Sequence, residues 1–430
     1  MSNPKRPEQP ANLARRNFLG AAGGLAVAAA SVGAAAMAPV AEAAANPAAA
    51  PSDKEPFWGQ HQGGIVTPQQ RYTCFAAFDV TTNKRDELIE ILKHWTIAAA
   101  RMSEGRPVYP LDSTKDTEPP ADSADVLEIS PARLTITFGF GPTLFSKEGV
   151  DRFGIARRRP QALVDLPRFN GDQLAADKTG GDISIQACSD DPQVAFHAVR
   201  QLARLAYGKA DMKWVQNGFT GDGSKGTPRN LMGFKDGTVN PPLNDHAALN
   251  KLVWVGSEGD WMRDGSYMVV RRVRIALEHW DRSPLDFQEQ VVGRHKYSGA
   301  PLGKLNEFDA ADLDAADSDG NPIVPDNAHM RLASAAANQG MQILRRGYSY
   351  NDGANFTAER WPPWRQEVEF DAGLLFFGYQ QDPRTGFIPI NHQLAKLDIM
   401  NQFITHVGSG IFACPPGAQP GSFIGATLFG

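Results

Sequence analysis

Residues 231–242 read LMGFKDGTVNPP and place one carboxylate, that of Asp236, between two glycines. Gly233 and Gly237 permit backbone conformations that other residues resist, and they let a flat molecule approach the main chain closely. A carboxylate held on such a loop can take up and release a proton during a reaction. The same letters also fit an ordinary type I or II turn, because Lys-Asp-Gly-Thr is common turn chemistry. The local sequence leaves both interpretations open.

Two further residues have side chains that could act together with this carboxylate. His329 stands at the start of a predicted helix in DNAHMRL, where a histidine is either a structural or capping residue or a metal ligand. Arg345 lies in ILRRGYSY, where two adjacent arginines enter a predicted Gly-Tyr turn and would ordinarily form solvated ion pairs. The other eight histidines have no patterned context and are interpreted as surface or structural residues: His61, His94, His197, His246, His279, His295, His392 and His406.

The elements that must position these residues follow a repeated order. In the first half, β-branched and aromatic runs predict strands and apolar periodicity predicts helices. They give a strand at 71–80, a helix at 84–102, strands at 133–140 and 182–188, a helix at 192–206 and a strand at 212–219. This β-α-β, β-α-β order predicts an α+β ferredoxin-like sandwich, an antiparallel sheet with helices on one face.

The second half shows a similar pattern. It gives a strand at 266–276, a helix at 283–291, a strand at 374–379, a helix at 391–405 and a strand at 410–414. A duplicated α+β fold therefore fits, with domains at 69–220 and 221–430, although periodicity alone does not distinguish it from two unrelated domains. The run from Leu374 to Phe377 either walls a pocket or forms strand core, and core is the expectation for at least two of its four residues.

The N-terminus has the features of an export signal. Arg15 and Arg16 form a twin-arginine pair, an Ala/Gly-rich apolar run follows from Leu19 to about Val40, and residues 41–43 supply a small-x-small cleavage site. A transmembrane anchor is the alternative, but the alanines and glycines make this run a weak span. We expect a signal at 1–45 and a flexible leader at 46–68. Twin-arginine export moves folded proteins, which suggests that a cofactor is acquired first.

Composition excludes several classes of function. The chain has 430 residues and a formal net charge of −5, with no basic run, so it is a poor candidate for binding nucleic acid. No Gly-rich nucleotide-binding motif is present. Cys74, Cys188 and Cys414 are widely spaced and lie outside any C-x-x-C, so we expect buried thiols and neither a zinc site nor thioether-bound haem.

Taken in order, the motifs resemble those of the dye-decolourising peroxidases. They are the loop from Gly233 to Gly237, the His-x-Arg-Leu that begins at His329, the arginine motif around Arg345, and GLLFFGYQ at 373–380. The resemblance covers residues from about 68 to 428. It is strongest to an exported deferrochelatase/peroxidase subgroup associated with ferrous-iron uptake. It implies duplicated ferredoxin-like domains with a pocket for non-covalent haem b in the C-terminal half.

The resemblance also implies roles for individual residues. His329 would be the axial ligand of the haem iron, Asp236 the acid/base on the opposite face, and Arg345 its partner. Further cofactor contacts would come from Gly237, Thr238, Val239, Ser334, Ala335 and Ala336. The subgroup usually carries Asn-Pro where this chain has Ser334-Ala335. These residue types suit peroxide cleavage, which needs one axial imidazole, a nearby base and a fixed cation.

The implied function is a periplasmic peroxidase that uses hydrogen peroxide and a reducing substrate. After removal of the signal it would not span a membrane. Components of a ferrous-iron uptake system are candidate partners, and a homo-oligomer stays open. Two alternatives remain at this point: a haem- or iron-handling protein with incidental peroxidase activity, and a structural α+β protein without haem.

Overall fold

The structure, a computed structural model, describes residues 52–355 and 369–430. The predicted signal at 1–45 and the first residues of the predicted leader lie outside the described residues. In the part of the chain that is described, no helix is both long enough and apolar enough to cross a membrane.

In the described ranges, eight antiparallel strands form the framework of the protein. They are β1 (Tyr72–Val80), β2 (Thr135–Phe140), β3 (Ile183–Ser189), β4 (Ala210–Phe219), β5 (Ser266–Ile275), β6 (Leu344–Asn355), β7 (Glu369–Gln380) and β8 (Ile404–Cys414). The first four are ordered β4-β1-β3-β2 and the last four β8-β5-β7-β6. Each half therefore repeats the order fourth-first-third-second, which is the ferredoxin-like arrangement. The predicted duplicated ferredoxin-like fold is confirmed.

The two four-stranded sheets meet at both of their edges. Phe140 on β2 pairs with Ala413 on β8, and Phe219 on β4 pairs with Ser349 on β6. These single pairs close the eight strands into a ring. Each junction is a single residue pair, so the two sheets keep most of their own edge length and pair with each other only at these two points of the described strands.

Helices fill the connections between strands. They are α1 (Arg85–Ser103), α2 (Pro142–Phe145), α3 (Pro192–Leu205), α4 (His246–Leu252), α5 (Leu277–Trp280), α6 (Leu285–Val292), α7 (His329–Leu332), α8 (Phe387–Leu397) and α9 (Ala426–Phe429). Asp191 caps α3 by accepting hydrogen bonds from the backbone N–H groups of Gln193 and Val194, at 2.7 and 3.2 Å. Proline at the first position of α3 has no N–H to satisfy, so the helix begins there as predicted.

The structure corrects two predictions in the second half. The arginine motif does not enter a turn, because Arg345 to Tyr348 all belong to strand β6. The helix predicted at 391–405 is also wrong at both ends, since α8 spans Phe387–Leu397 and β8 begins at Ile404. Asp398 ends that helix: its backbone is extended, and its side chain accepts a hydrogen bond from the N–H of Met400 at 2.9 Å.

An aromatic core joins the two sheets. Aromatic side chains from strands of both halves belong to it, among them Phe75, Trp214, Tyr348, Phe377, Tyr379 and Phe412. The three cysteines are buried and free, as the sequence predicts. Burial raises the pKa of the Cys74 thiol to about 12, so this thiol stays protonated and behaves as a small apolar group.

A buried polar network lies between β5 and β8. The Arg271 guanidinium forms an ion pair with Asp172 and donates hydrogen bonds to Ser409 Oγ at 2.9 Å and to His406 Nδ1 at 3.0 Å. Because Nδ1 accepts this bond, the His406 ring is neutral and carries its proton on Nε2. Burial, and then the charge of Arg271, lower the pKa of His406 to about 3. His406 is therefore a structural histidine.

The lowered pKa of His406 implies that the protein loses stability in acid. In the unfolded chain this histidine has a pKa of about 6.5 and is protonated below that pH, whereas in the folded protein it stays neutral. The free energy of unfolding therefore falls as pH falls toward 3. The share from His406 is about 2 kcal/mol between pH 7 and pH 5. In His406→Asn the side-chain oxygen can still accept from Arg271 but does not titrate, so urea unfolding should show a flatter pH dependence. His94→Asn, on an exposed face of α1, is the control and should keep the wild-type slope. Equal slopes in the two variants would contradict the assignment.

Candidate active site

The glycine-rich loop folds as a tight turn that presents Asp236. Gly233 and Gly237 have φ of +85° and +110°, values that favour glycine. The N–H of Asp236 donates to the carbonyl oxygen of Pro228 at 2.8 Å, and the N–H of Asn240 donates to that of Gly237 at 3.1 Å. The turn and the functional interpretation of this loop are thus compatible, because the turn fixes the backbone on both sides of the carboxylate.

A half-buried acid, Glu307, anchors the loop. Glu307 forms an ion pair with Lys235 and accepts a hydrogen bond from Thr238 Oγ1 at 2.9 Å. Burial alone would raise the pKa of Glu307, but the hydrogen bonds from Lys235, Thr227 and Thr238 lower it below its ordinary value. Glu307 is therefore ionised and holds the residues on either side of Asp236. It lies 71 residues further along the chain, in a loop with no regular pattern, so the sequence did not indicate this contact.

Asn240 joins the loop to strand β6. Its Nδ2 donates to the carbonyl oxygen of Arg345 at 2.7 Å, and its Oδ1 accepts from the N–H of Arg345 at 3.1 Å. These two bonds fix the loop against the strand. They bring Nη1 of Arg345 to 3.4 Å from Oδ1 of Asp236, although the two residues are 109 positions apart.

The alternation of β6 decides which side chains face this pair. Arg345, Gly347 and Ser349 line one cavity with Asp236, whereas Arg346 and Tyr348 are buried on the opposite face. On β7, Phe376 stands opposite Gly347 and Leu374 stands opposite Ser349. Leu374 also lines the cavity, as do Gln69, Thr220, Pro228, Arg229, Asn230, Gly237 and Asn240.

Gly347 keeps space open beside the carboxylate. A Cβ atom at this position would lie 3.2 Å from Asp236 Oδ2 and 3.3 Å from Leu374 Cδ1. Of the four residues from Leu374 to Phe377, Leu375 and Phe377 are fully buried in the aromatic core. Leu374 lines the cavity and Phe376 packs on Phe387 at a ring-centroid distance of 5.9 Å.

His329 is oriented by a buried acid. It begins α7, and its Nδ1 lies 2.6 Å from Oδ2 of Asp398, whose side chain is 1 % exposed. Burial by itself lowers the pKa of His329, but the charge and hydrogen bond of Asp398 raise it by more, so the net change is upward. Because the carboxylate accepts the Nδ1 proton, Nε2 is the nitrogen left to bind a metal.

The three candidate residues act on one another electrostatically. The charge of Arg345 lowers the pKa of His329, and that of Asp236 raises it. The His329 side chain is 32 % exposed, so its contact with Asp398 does not enclose it completely. The structure thus brings Asp236 and Arg345 together in one cavity; His329 does not line that cavity, but the charges of both residues act on it, and its partner Asp398 was missed by the sequence analysis. An aspartate after an apolar helix indicates a cap, but nothing local connects it with a histidine 69 positions earlier.

Four other predicted cofactor contacts do not line the Asp236 cavity. Val239 is 61 % exposed at the tip of the loop. Residues 334–336 follow α7, with Ser334 and Ala335 half-buried and Ala336 exposed. The Ser334 hydroxyl donates to the carbonyl oxygen of Arg331 at 2.7 Å, and Asn338 Nδ2 donates to that of Ser334 at 2.8 Å. These bonds shape the turn after His329, and none of the three residues is among those that line the Asp236 cavity.

A second group of potential metal ligands lies far from this cavity in the chain. Ligand atoms of Asp122, Asp125 and His197 lie within 4.8 Å of one another. They are already engaged: His197 Nδ1 contacts Asp125 at 2.8 Å, Arg200 lies 3.4 Å from the same carboxylate oxygen, and Asp122 accepts the N–H of Val108 at 2.8 Å. We interpret this cluster as structural, in line with the prediction for His197.

Comparison with known proteins places this geometry in a family. The family described as "Dyp-type peroxidase, C-terminal" matches residues 227–419, and "Dyp-type peroxidase, N-terminal" matches residues 62–220. The chain belongs to the Dyp-type peroxidase family. The predicted family and the predicted enzyme class, an oxidoreductase that acts on peroxide, are confirmed.

Individual relatives agree with this membership. The chain is 36 % identical to the dye-decolorizing peroxidase of Thermobifida fusca over 96 % of both chains. It is 35 % identical to the deferrochelatase of Escherichia coli K12 over 88 % of both. Among solved structures, an oxyferrous complex of DtpA from Streptomyces lividans has a TM-score of 0.79 and 38 % identity, covering 88 % of this chain and 98 % of that one.

Proposed function

We propose that this Dyp-type protein is a haem b-dependent peroxidase that reduces hydrogen peroxide and oxidises an organic or porphyrin substrate. The observation that carries the proposal is the pairing of Asp236 with Arg345 in one cavity, at 3.4 Å. It is supported by His329, which Asp398 orients and on which the charges of both residues act. This donor set suits a peroxidase, which needs an axial imidazole, a base and a fixed cation.

The residues fit a non-covalent haem. His329 has one nitrogen committed to Asp398 and the other available, the arrangement expected of an iron ligand. Gly237, with positive φ and no side-chain or backbone atom closer than 4.0 Å to the place of a Cβ, leaves the backbone beside Asp236 open, so a flat ring can lie against it. Gly237, Thr238 and Val239 are the proposed contacts on this side. Ser334, Ala335 and Ala336 are the proposed contacts after α7.

The chain's own groups then perform the proton and charge steps. When bound, haem supplies an iron centre that binds peroxide and exchanges electrons. Asp236 takes the proton from the inner oxygen of peroxide and delivers it to the outer oxygen, which leaves as water. Arg345 stays charged throughout and stabilises the negative charge that develops as the O–O bond breaks. Two electrons from the reducing substrate and two further protons complete the conversion of peroxide to two waters.

Iron handling is a second candidate function. Its support is the 35 % identity over 88 % of both chains with a protein named deferrochelatase. Removing iron from haem requires the His329 pocket, whereas the Asp236–Arg345 pair is needed for peroxide cleavage. Mass spectrometry of the tetrapyrrole after incubation with haem separates the two functions, because metal-free porphyrin would accumulate only if iron is extracted.

Domains, export and partners belong to the same proposal. We place a signal at 1–45, a leader at 46–68, and domains at 69–220 and 221–430, the second carrying the haem. Arg15, Arg16 and the apolar run after them support export to the periplasm in the folded state. Components of a ferrous-iron uptake system are the proposed partners there.

Haem retention tests the assignment of the ligand. His329→Ala removes the one proposed bond between protein and iron, so the purified variant should lose most of its Soret absorbance. His94→Ala, at an exposed position of α1, should keep the wild-type haem content and ferric spectrum. Full haem occupancy in His329→Ala would mean that another residue is the ligand. A wild-type protein that binds no haem would overturn the proposed function itself.

Substitutions of Asp236 and Arg345 should affect the peroxide reaction and not haem binding. Asp236→Asn keeps the volume but cannot take a proton, so the spectral change after mixing with peroxide should slow by about 10²- to 10⁴-fold. Arg345→Leu removes the fixed cation, at a cost of about 3 kcal/mol in the barrier. Stopped-flow absorbance measures both, with the exposed Asp222→Asn as the control. Wild-type rates in both variants would rule out the mechanism while leaving the family membership intact.

Export has its own test. In the double variant Arg15→Lys, Arg16→Lys the charge is unchanged, but the twin-arginine address is read by a receptor that charge alone does not satisfy. Folded, haem-containing protein should therefore accumulate in the cytoplasm, as shown by fractionation and immunoblotting. Normal export of the double variant would show that the signal is of another kind.

A further inference from the structure

The N-terminal half of the chain reaches strand β6 directly behind the proposed active site. Arg346 is 3 % exposed and donates hydrogen bonds to the carbonyl oxygen of Thr67 and, at 2.7 Å, to Oε1 of Gln70. The Gln70 amide is fixed in turn, because its Nε2 donates to the carbonyl oxygen of Arg133 at 2.9 Å. The backbone on both sides of residue 69 is therefore held against β6.

Gln69, between these anchors, bonds to the backbone of the same strand at the next residue after Arg346. Its Nε2 donates to the carbonyl oxygen of Gly347 at 2.7 Å. A carbonyl oxygen only accepts, so this bond fixes which end of the amide faces Gly347: the NH₂ group points to the strand and Oε1 is the end left free. Gln69 is half-buried and lines the cavity that also contains Asp236 and Arg345.

Gly347 makes room for this arrangement. A side chain there would contact Asp236 and Leu374, since an added Cβ would lie 3.2 and 3.3 Å from their side-chain atoms. The strand therefore offers no polar group of its own at this position. The side chain of Gln69, from the other half of the chain, supplies one.

We propose that Gln69 is a further active-site residue, whose amide oxygen accepts a hydrogen bond from the outer O–H of hydrogen peroxide. This inference rests on the proposed peroxidase function. Peroxide carries two O–H groups, and Asp236 can accept only the proton of the inner oxygen at the moment of reaction. An acceptor for the second O–H distinguishes the two oxygens and orients the molecule between Asp236 and Arg345. A neutral amide does this without competing for the proton, so Gln69 orients peroxide and transfers nothing.

Cyanide binding distinguishes a Gln69 that orients peroxide from a Gln69 that only supports the structure. Hydrogen cyanide must also give up a proton to a base when it binds ferric haem, but it has no second proton for Gln69 to accept. Gln69→Met keeps the side-chain length and removes both amide groups. In the haem-loaded full chain, it should slow the reaction with peroxide about 10-fold, the effect of one lost hydrogen bond, and leave the rate and dissociation constant of cyanide binding unchanged. Stopped-flow absorbance and titration of the Soret band measure these quantities.

Two controls make the outcome decisive. Gln419→Met removes a glutamine whose Nε2 makes the same kind of bond, to the carbonyl oxygen of Gly59 at 3.1 Å, at an exposed site; both reactions should stay at wild-type rates. Asp236→Asn should slow both reactions.

If Gln69→Met slows the reactions with peroxide and with cyanide equally, Gln69 only holds Gly347 in place and the inference is wrong. It is also wrong if neither rate changes while Asp236→Asn is slow. Unchanged rates in Asp236→Asn would instead refute the proposed function.

Discussion

The candidate site depends on the alternation of side chains along strand β6. Arg345 and Gly347 face the cavity, and Arg346 and Tyr348 face the aromatic core. A shift of one residue in the pairing with β7 would exchange these sets, placing Arg345 in the core and a tyrosine against Asp236. The register is held from both sides: Asn240 bonds both backbone groups of Arg345, and Arg346 reaches the carbonyl oxygen of Thr67. The strand is thus fixed by residues from two distant parts of the sequence.

Three carboxylates near the site have different tasks because their surroundings differ. Glu307 is bonded to Lys235 and Thr238, so it remains ionised and anchors the loop. Asp398 is almost fully buried and bonds to His329, so it orients the imidazole ring. Asp236 is the one with a side chain partly open to a cavity, and its partner Arg345 stands at 3.4 Å, long for a charged hydrogen bond. A small molecule in the cavity can therefore bond to both Asp236 and Arg345 without first breaking a short ion pair between them.

Residues whose role is indicated by their own chemistry and a local motif could be predicted from the sequence. Residues whose role depends on a contact with a distant part of the chain could not. A carboxylate between glycines, a histidine at a helix start and an arginine pair were all visible, and their order indicated the family. Asp398 and Glu307 were missed because their partners lie 69 and 69 to 72 positions away. The Gly-Tyr turn was wrong because Gly347 is needed for space beside Asp236 and not for a bend. The helix predicted through 398 failed because a capping aspartate outweighed the apolar pattern around it.

The repeated fold explains why the site lies where it does. Both halves have the same strand order, and the two edge contacts, Phe140 with Ala413 and Phe219 with Ser349, close them into one ring. The second contact places the end of β4 beside β6, and Thr220, the residue after β4, lines the Asp236 cavity. Gln69 enters the same cavity from the residues before β1. The haem ligand and the acid/base are proposed for one half alone, but the walls of the Asp236 cavity come from both. Duplication therefore supplies more than stability: the junction between the two sheets forms part of the cavity in which peroxide would react.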